Sequence, residues 1–173
     1  MCWRGEPKQI AKKMWALKLK DDEGNHEVIR VPVPKPGPNE VLIKIEAAPL
    51  NPSDLAYTKG LFKSWAYTAY PITPGFEASG TVVQSGGGFH GWALTGKRVA
   101  CMKGTESTYG KLTKDGTYAE YMVTNVLCCI PLQKEVGFDE GSCHFVNPLT
   151  ALGLIKRVKE LHGKCVVLTA ACS

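Results

Sequence analysis

The sequence predicts a mainly β chain: a partly open antiparallel barrel, followed by the first helix and strand of an α/β unit that the chain does not complete. Three observations carry this. Short stretches in which apolar and polar residues alternate recur between Met14 and Val123, separated by Gly, Pro, Asn and Asp. Pro32, Pro34, Pro36 and Pro38 crowd one connector in which no helix survives. Only past Asn147 does the apolar spacing lengthen to that of a helix, and a continuous apolar run then ends the chain. The expected division is a basic extension over 1–13, a β domain over 14–136 and the start of an α/β domain over 137–173.

Trp15 to Leu19 alternates as a half-buried strand does, and the polar stretch from Asp21 to Asn25 turns it into a second strand, Val28 to Val31. Val41 to Ala47 is the clearest alternating strand, with Val41, Ile43 and Ile45 expected inward. Asn51-Pro52 follows it. The proline ring disfavours helix at the residue before it, so Asn51 is expected at a strand tip with its amide displayed. Thr81 to Val83 reads as a short strand and Ser85 to Gly88 as a flexible turn. A phosphate-cradling loop leads into a helix, and the next element expected here is the strand Arg98 to Cys101, so the glycines read as a plain turn. Asp115-Gly116 signals a hairpin before the strand Thr117 to Val123. Asn147 is a candidate cap for a helix with Pro148 in its first turn, Leu149, Leu152, Ile155 and Val158 on one face, and Gly163 at its end. Lys164 to Thr169 has the composition of a buried parallel strand.

With 44% apolar and 21% charged residues in 173, the composition is that of a globular protein, and no apolar run approaches the roughly 18 residues of a membrane span. The net charge of +5 is confined to the first twenty residues, where Arg4, Lys8, Lys12, Lys13, Lys18 and Lys20 face Glu6 alone. That distribution is a property of the tail and speaks against a nucleic-acid surface. Seven cysteines, with no Cys-x-x-Cys and no secretory leader, indicate a reducing compartment. The expected location is cytoplasmic, with the mitochondrion as the alternative that the short basic lead leaves open.

Asn51-Pro52-Ser53-Asp54, Gly75-Phe76-Glu77-Ala78-Ser79-Gly80, Lys97-Arg98-Val99 after Gly96, and Gly116-Thr117-Tyr118-Ala119-Glu120-Tyr121 occur in this order. In these motifs the chain resembles the zinc-independent quinone oxidoreductase and enoyl reductase branch of the medium-chain dehydrogenase/reductase superfamily. The resemblance implies a GroES-like barrel, then the opening of a Rossmann domain whose glycine-rich turn would begin just past Ser173. It implies NADPH as cofactor, though not tight binding by this chain alone, and NAD(P)H-dependent reduction of a quinone or an activated alkene or carbonyl. Zinc-dependent relatives have Cys where this chain has Asn51 and His where it has Phe76; neither replacement ligates zinc, so no metal is expected.

Similar enzymes place the equivalents of Asn51 and Thr150 against the nicotinamide. The plainer readings are an Asx-turn cap for Asn51 and a first-turn helix hydroxyl for Thr150. Asp54 and Glu77 read as structural carboxylates. Enoyl reductases of this branch carry a tyrosine where Gly60-Leu61-Phe62 has a ring without a hydroxyl, and a benzene ring is no acid. Tyr57 could supply the hydroxyl from the same segment. Phe62, Trp65 and Tyr67 suit a flat conjugated substrate, or close the barrel mouth; both readings stand. The rival function is a catalytically inactive truncated product, or a structural subunit that keeps the barrel for protein contacts. A homo-oligomer, or a partner that completes the Rossmann sheet, would cover the terminal strand.

Overall fold

A computed structural model of the chain describes residues 10–61, 70–104 and 115–167. The architecture is mainly β: a two-stranded hairpin, β1 (Lys13–Leu19) and β2 (His26–Pro32), and a five-stranded antiparallel sheet. The sheet comprises β3 (Glu40–Ala47), β4 (Glu77–Ser85), β5 (Arg98–Met102), β6 (Tyr121–Asn125) and β7 (Cys129–Pro131), in the order β6-β3-β4-β5-β7. The hairpin and the sheet do not merge into one closed ladder. They are stitched by single bridges, Ala16 to Ala119 and Leu19 to Ile72, the latter a reciprocal backbone pair of 2.8 and 3.0 Å.

The core lies on one face of the sheet, where Val41, Ile43, Ala78, Val82, Val99, Cys101 and Met122 pack together. Ile45 packs against this group from the margin, as the alternation of β3 predicts. Leu42, on the opposite face, is buried as well. Gly80 is required where β4 passes β3: a Cβ there would run into the carbonyl of Lys44.

Among the described residues, helices lie between and after the strands. α1 (Pro52–Thr58) follows β3; α2 (Phe89–Leu94) and a 3-10 turn (Val126–Cys128) lie beside β4; α3 (Phe138–Gly141) and α4 (Val146–Glu160) follow β7. Several expectations are corrected. Pro52 opens a helix, since a proline at the first helical position lacks only an N–H that would have no partner there. The strand expected over Thr81 to Val83 is longer, since β4 already begins at Glu77. The glycines 86–88 do lead into a helix, α2, though one of six residues. The strand expected at Thr117 begins at Tyr121. The last helix starts at Val146, with Phe145 and not Asn147 in the cap position. Finally, residues 164–167 form no strand, and Val166 and Val167 are exposed: a parallel strand needs neighbours, and none of the described residues supplies one.

Candidate functional site

The site grows from the end of β3. Asn51 keeps an extended backbone (φ −93°, ψ 156°) and caps α1, so its side chain leaves the helix axis and crosses to β4. There its Nδ2 donates to Glu77 Oε1 at 3.0 Å. The other carboxylate oxygen of Glu77 accepts the backbone N–H groups of Phe145 (3.1 Å) and Val146 (2.7 Å), the first amides of α4. Glu77 is 1% exposed. One buried carboxylate thus joins the Asn51 corner to the N-terminus of the 15-residue helix, where the helix dipole favours a negative charge.

Asp54 forms a second link. Its Oδ2 accepts from the N–H of Asn51 (2.8 Å), closing the first turn of α1, and its Oδ1 accepts from the N–H of Phe76 (3.1 Å). Tyr118 lies against this carboxylate, and its hydroxyl donates to the carbonyl of Pro49 at 3.0 Å. Burial holds the Asp54 carboxyl above its ordinary range, against the lowering effect of its hydrogen bonds. Gly75, at φ +97°, lets the chain turn beside the Thr117 hydroxyl, where a Cβ would clash.

Beneath these residues the Tyr57 ring meets Phe76 edge to face, with centroids 5.3 Å apart. Its hydroxyl is buried with no hydrogen-bond partner, and burial pushes its pKa up to about 12. Thr150 lies one helical turn beyond Val146 and donates its Oγ1 proton to the Val146 carbonyl at 2.7 Å. Asn51 and Thr150 are therefore connected through Glu77 and the first turn of α4. Phe62, Trp65 and Tyr67 lie outside the described residues.

Neither position at which a zinc ligand would be sought offers one. The Asn51 amide is bonded to Glu77, and the Phe76 ring packs on Tyr57. Among the described residues no three His, Cys, Asp or Glu side chains gather as ligands, and no helix is long and apolar enough to cross a membrane. Two residues exceed their sequence reading. Glu77, read as a structural carboxylate, is the junction of the β4 strand, the Asn51 corner and helix α4, which only the return of α4 could reveal. Lys103 is 1% exposed, yet in the sequence it is one more lysine after a strand.

The alcohol dehydrogenase GroES-like domain model matches residues 37–134. A zinc-type alcohol dehydrogenase-like protein of Schizosaccharomyces pombe is 37% identical over 142 residues, 82% of this chain and 40% of that protein. A chloroplast envelope quinone oxidoreductase homolog of Arabidopsis thaliana is 34% identical over 126 residues, 73% of this chain and 36% of that protein. Among solved structures, a Mesorhizobium loti protein assigned as an NADPH:quinone reductase superposes with a TM-score of 0.80 at 35% identity, over 95% of this chain and 49% of that one. The chain spans less than half the length of each of these proteins. A family match over more than half of the sequence, on a fold with the same motifs at its centre, shows that the chain belongs to the alcohol dehydrogenase GroES-like domain family.

Proposed function

We propose that this chain is the barrel half of an NADPH-dependent oxidoreductase that reduces a quinone or another conjugated carbonyl. The observation that carries the reading is the Asn51–Glu77–Val146 junction, which ties the Asn51 amide to the helix bearing Thr150. Two of the three relatives named above carry quinone oxidoreductase or quinone reductase names, which supports the same chemistry.

The residues fit one end of a dinucleotide. The Asn51 amide and the Thr150 hydroxyl oxygen offer hydrogen-bonding partners for a nicotinamide carboxamide, while the described residues form no glycine-rich turn for a pyrophosphate. The cofactor, when bound, supplies hydride. The rest is the work of this chain. Glu77 holds the Asn51 side chain in one orientation, and Phe76 closes one wall over Tyr57. Tyr57 keeps its proton at neutral pH, the form that a hydrogen-bond donor to a carbonyl requires. Phe62, Trp65 and Tyr67 are assigned to the substrate face on their position in the sequence.

The test is a chimera that joins this chain to the C-terminal half of the Mesorhizobium loti protein. It is expected to oxidise NADPH in a quinone-dependent manner, and Asn51→Ala is expected to lower kcat/KM by about tenfold, the equivalent of about 1.4 kcal/mol. A folded chimera that binds NADPH but reduces neither quinones nor enones would refute the reading.

A further inference from the structure

A second polar cluster lies beside the junction, and of its members only Tyr57 has a part in the reading above. Lys103 follows β5, and its backbone N–H donates to the Phe76 carbonyl at 2.7 Å, which anchors it next to the Asp54 and Glu77 links. Its side chain runs inward. Nζ sits 5.1 Å from the centre of the Tyr57 ring and 3.5 Å from the carbonyl of Thr73, a single long hydrogen bond for a group with three protons. A buried ammonium needs a counter-charge. The two carboxylates that act on it are committed elsewhere: Asp115 binds Lys18 Nζ at 2.5 Å, and Asp54 accepts the amides of Asn51 and Phe76.

Three buried hydroxyls in the same cluster, Thr73, Thr117 and Tyr57, have no hydrogen-bond partner among the described residues. They are held together by the backbone. Gly116 donates to the Thr73 carbonyl at 2.8 Å, the carbonyl that Lys103 also reaches, and Thr117 donates to Gly75 at 3.2 Å. Among the described residues, a positive charge whose neighbouring carboxylates are bonded elsewhere and three hydroxyls without a partner make one complementary demand. Water alone would satisfy the hydroxyls and leave the charge unmatched, and an apolar group would satisfy neither.

We propose that Lys103, with the hydroxyls of Thr73, Thr117 and Tyr57, is a binding site for an anionic oxygen, that of a conjugated carbonyl substrate in its reduced, enolate or phenolate form. The identity of the substrate rests on the reductase reading above; the anion site rests on the cluster alone. Hydride added to the conjugated carbon breaks the C=C π bond and leaves the electron pair on the carbonyl oxygen, until a proton from Lys103 or from solvent neutralises it. Donors fixed in a buried site stabilise such charge without having to reorganise. Burial has also brought the Lys103 pKa down to about 8, so the residue can release a proton and regain one near neutral pH.

The test needs no cofactor. 4-Nitrophenol changes absorbance when it ionises, and its titration can be followed with and without the purified full chain. Wild type is expected to bind the phenolate about tenfold more tightly than the phenol, which lowers the midpoint of the bound probe by about one pH unit. Lys103→Met, which keeps the bulk and removes the charge, is expected to abolish the shift, and Thr117→Val to reduce it. The proposal is overturned if wild type does not bind the probe, if the bound probe titrates where the free one does, or if the shift survives in folded Lys103→Met. Should that variant fail to fold, an unchanged shift in Thr117→Val overturns it. A shift alongside an inactive chimera would sink the reductase reading and leave the anion site standing; no shift alongside an active chimera would do the reverse.

Discussion

Glu77 holds three donors on one buried carboxylate, two of them amides at the start of α4. Its loss orphans all three at once. Glu77→Ala is expected to destabilise the chain by roughly 3 kcal/mol, and Glu77→Gln by roughly 1–2 kcal/mol because one oxygen still accepts, both measured by urea unfolding. Lys103 has the opposite economy, since its charge is what burial penalises. Below pH 8 it is protonated in both states and the folded chain bears the whole cost; between about 8 and the unfolded value of 10.5 the unfolded chain binds more protons, so stability rises with pH. Cys129, pushed up to about 12 by burial, works against this above its ordinary value of 9.0. The comparison with Lys103→Met isolates the lysine: wild type is expected to gain on the variant by a few kcal/mol between pH 8 and 10. Parallel stability curves for the two would show that Lys103 titrates normally.

At the scale of elements, α4 leaves an apolar face uncovered among the described residues. Leu149, Leu152 and Ile155 lie on one face and are 44%, 60% and 53% exposed. Each such side chain forgoes much of the roughly 1.5–3 kcal/mol of full burial. The helix is held at its start by Glu77 and has no cover along its length among the described residues. Amides 164–167 are therefore expected to exchange hydrogen far faster than those of β3 in a dilute sample, and to gain protection as concentration rises and α4 finds a second copy. Leu152→Glu is expected to abolish the concentration dependence. Equal protection of 164–167 and β3 in a demonstrably monomeric sample would contradict this.

For the whole molecule, the function proposed above predicts weak cofactor binding. On that reading the 173-residue chain alone would offer one amide and one hydroxyl to a nicotinamide, so it is expected to show no NADPH binding at micromolar concentrations in a fluorescence titration; micromolar affinity would mean that these few groups suffice. The β class, the hairpin, strand β3 and the motif order were legible in the sequence because each depends on neighbours along the chain: alternation, Pro and Gly punctuation, a turn signal. The start of α4 was not. Asn147 is the best local cap, yet the helix begins one residue before it, because the carboxylate of Glu77, 69 residues away, already accepts the Val146 amide. The same limit hid the partner of Asn51, the second ligand of Asp54 and the burial of Lys103. The sequence by itself determined the β class, the first hairpin, strand β3 and the order of the family motifs, since periodicity and backbone preference are local, whereas residues 164–167 have a strand's composition and form none. Only the tertiary structure decided what Glu77 and Lys103 do, because a buried charge takes its meaning from whichever distant groups the fold brings within hydrogen-bonding reach.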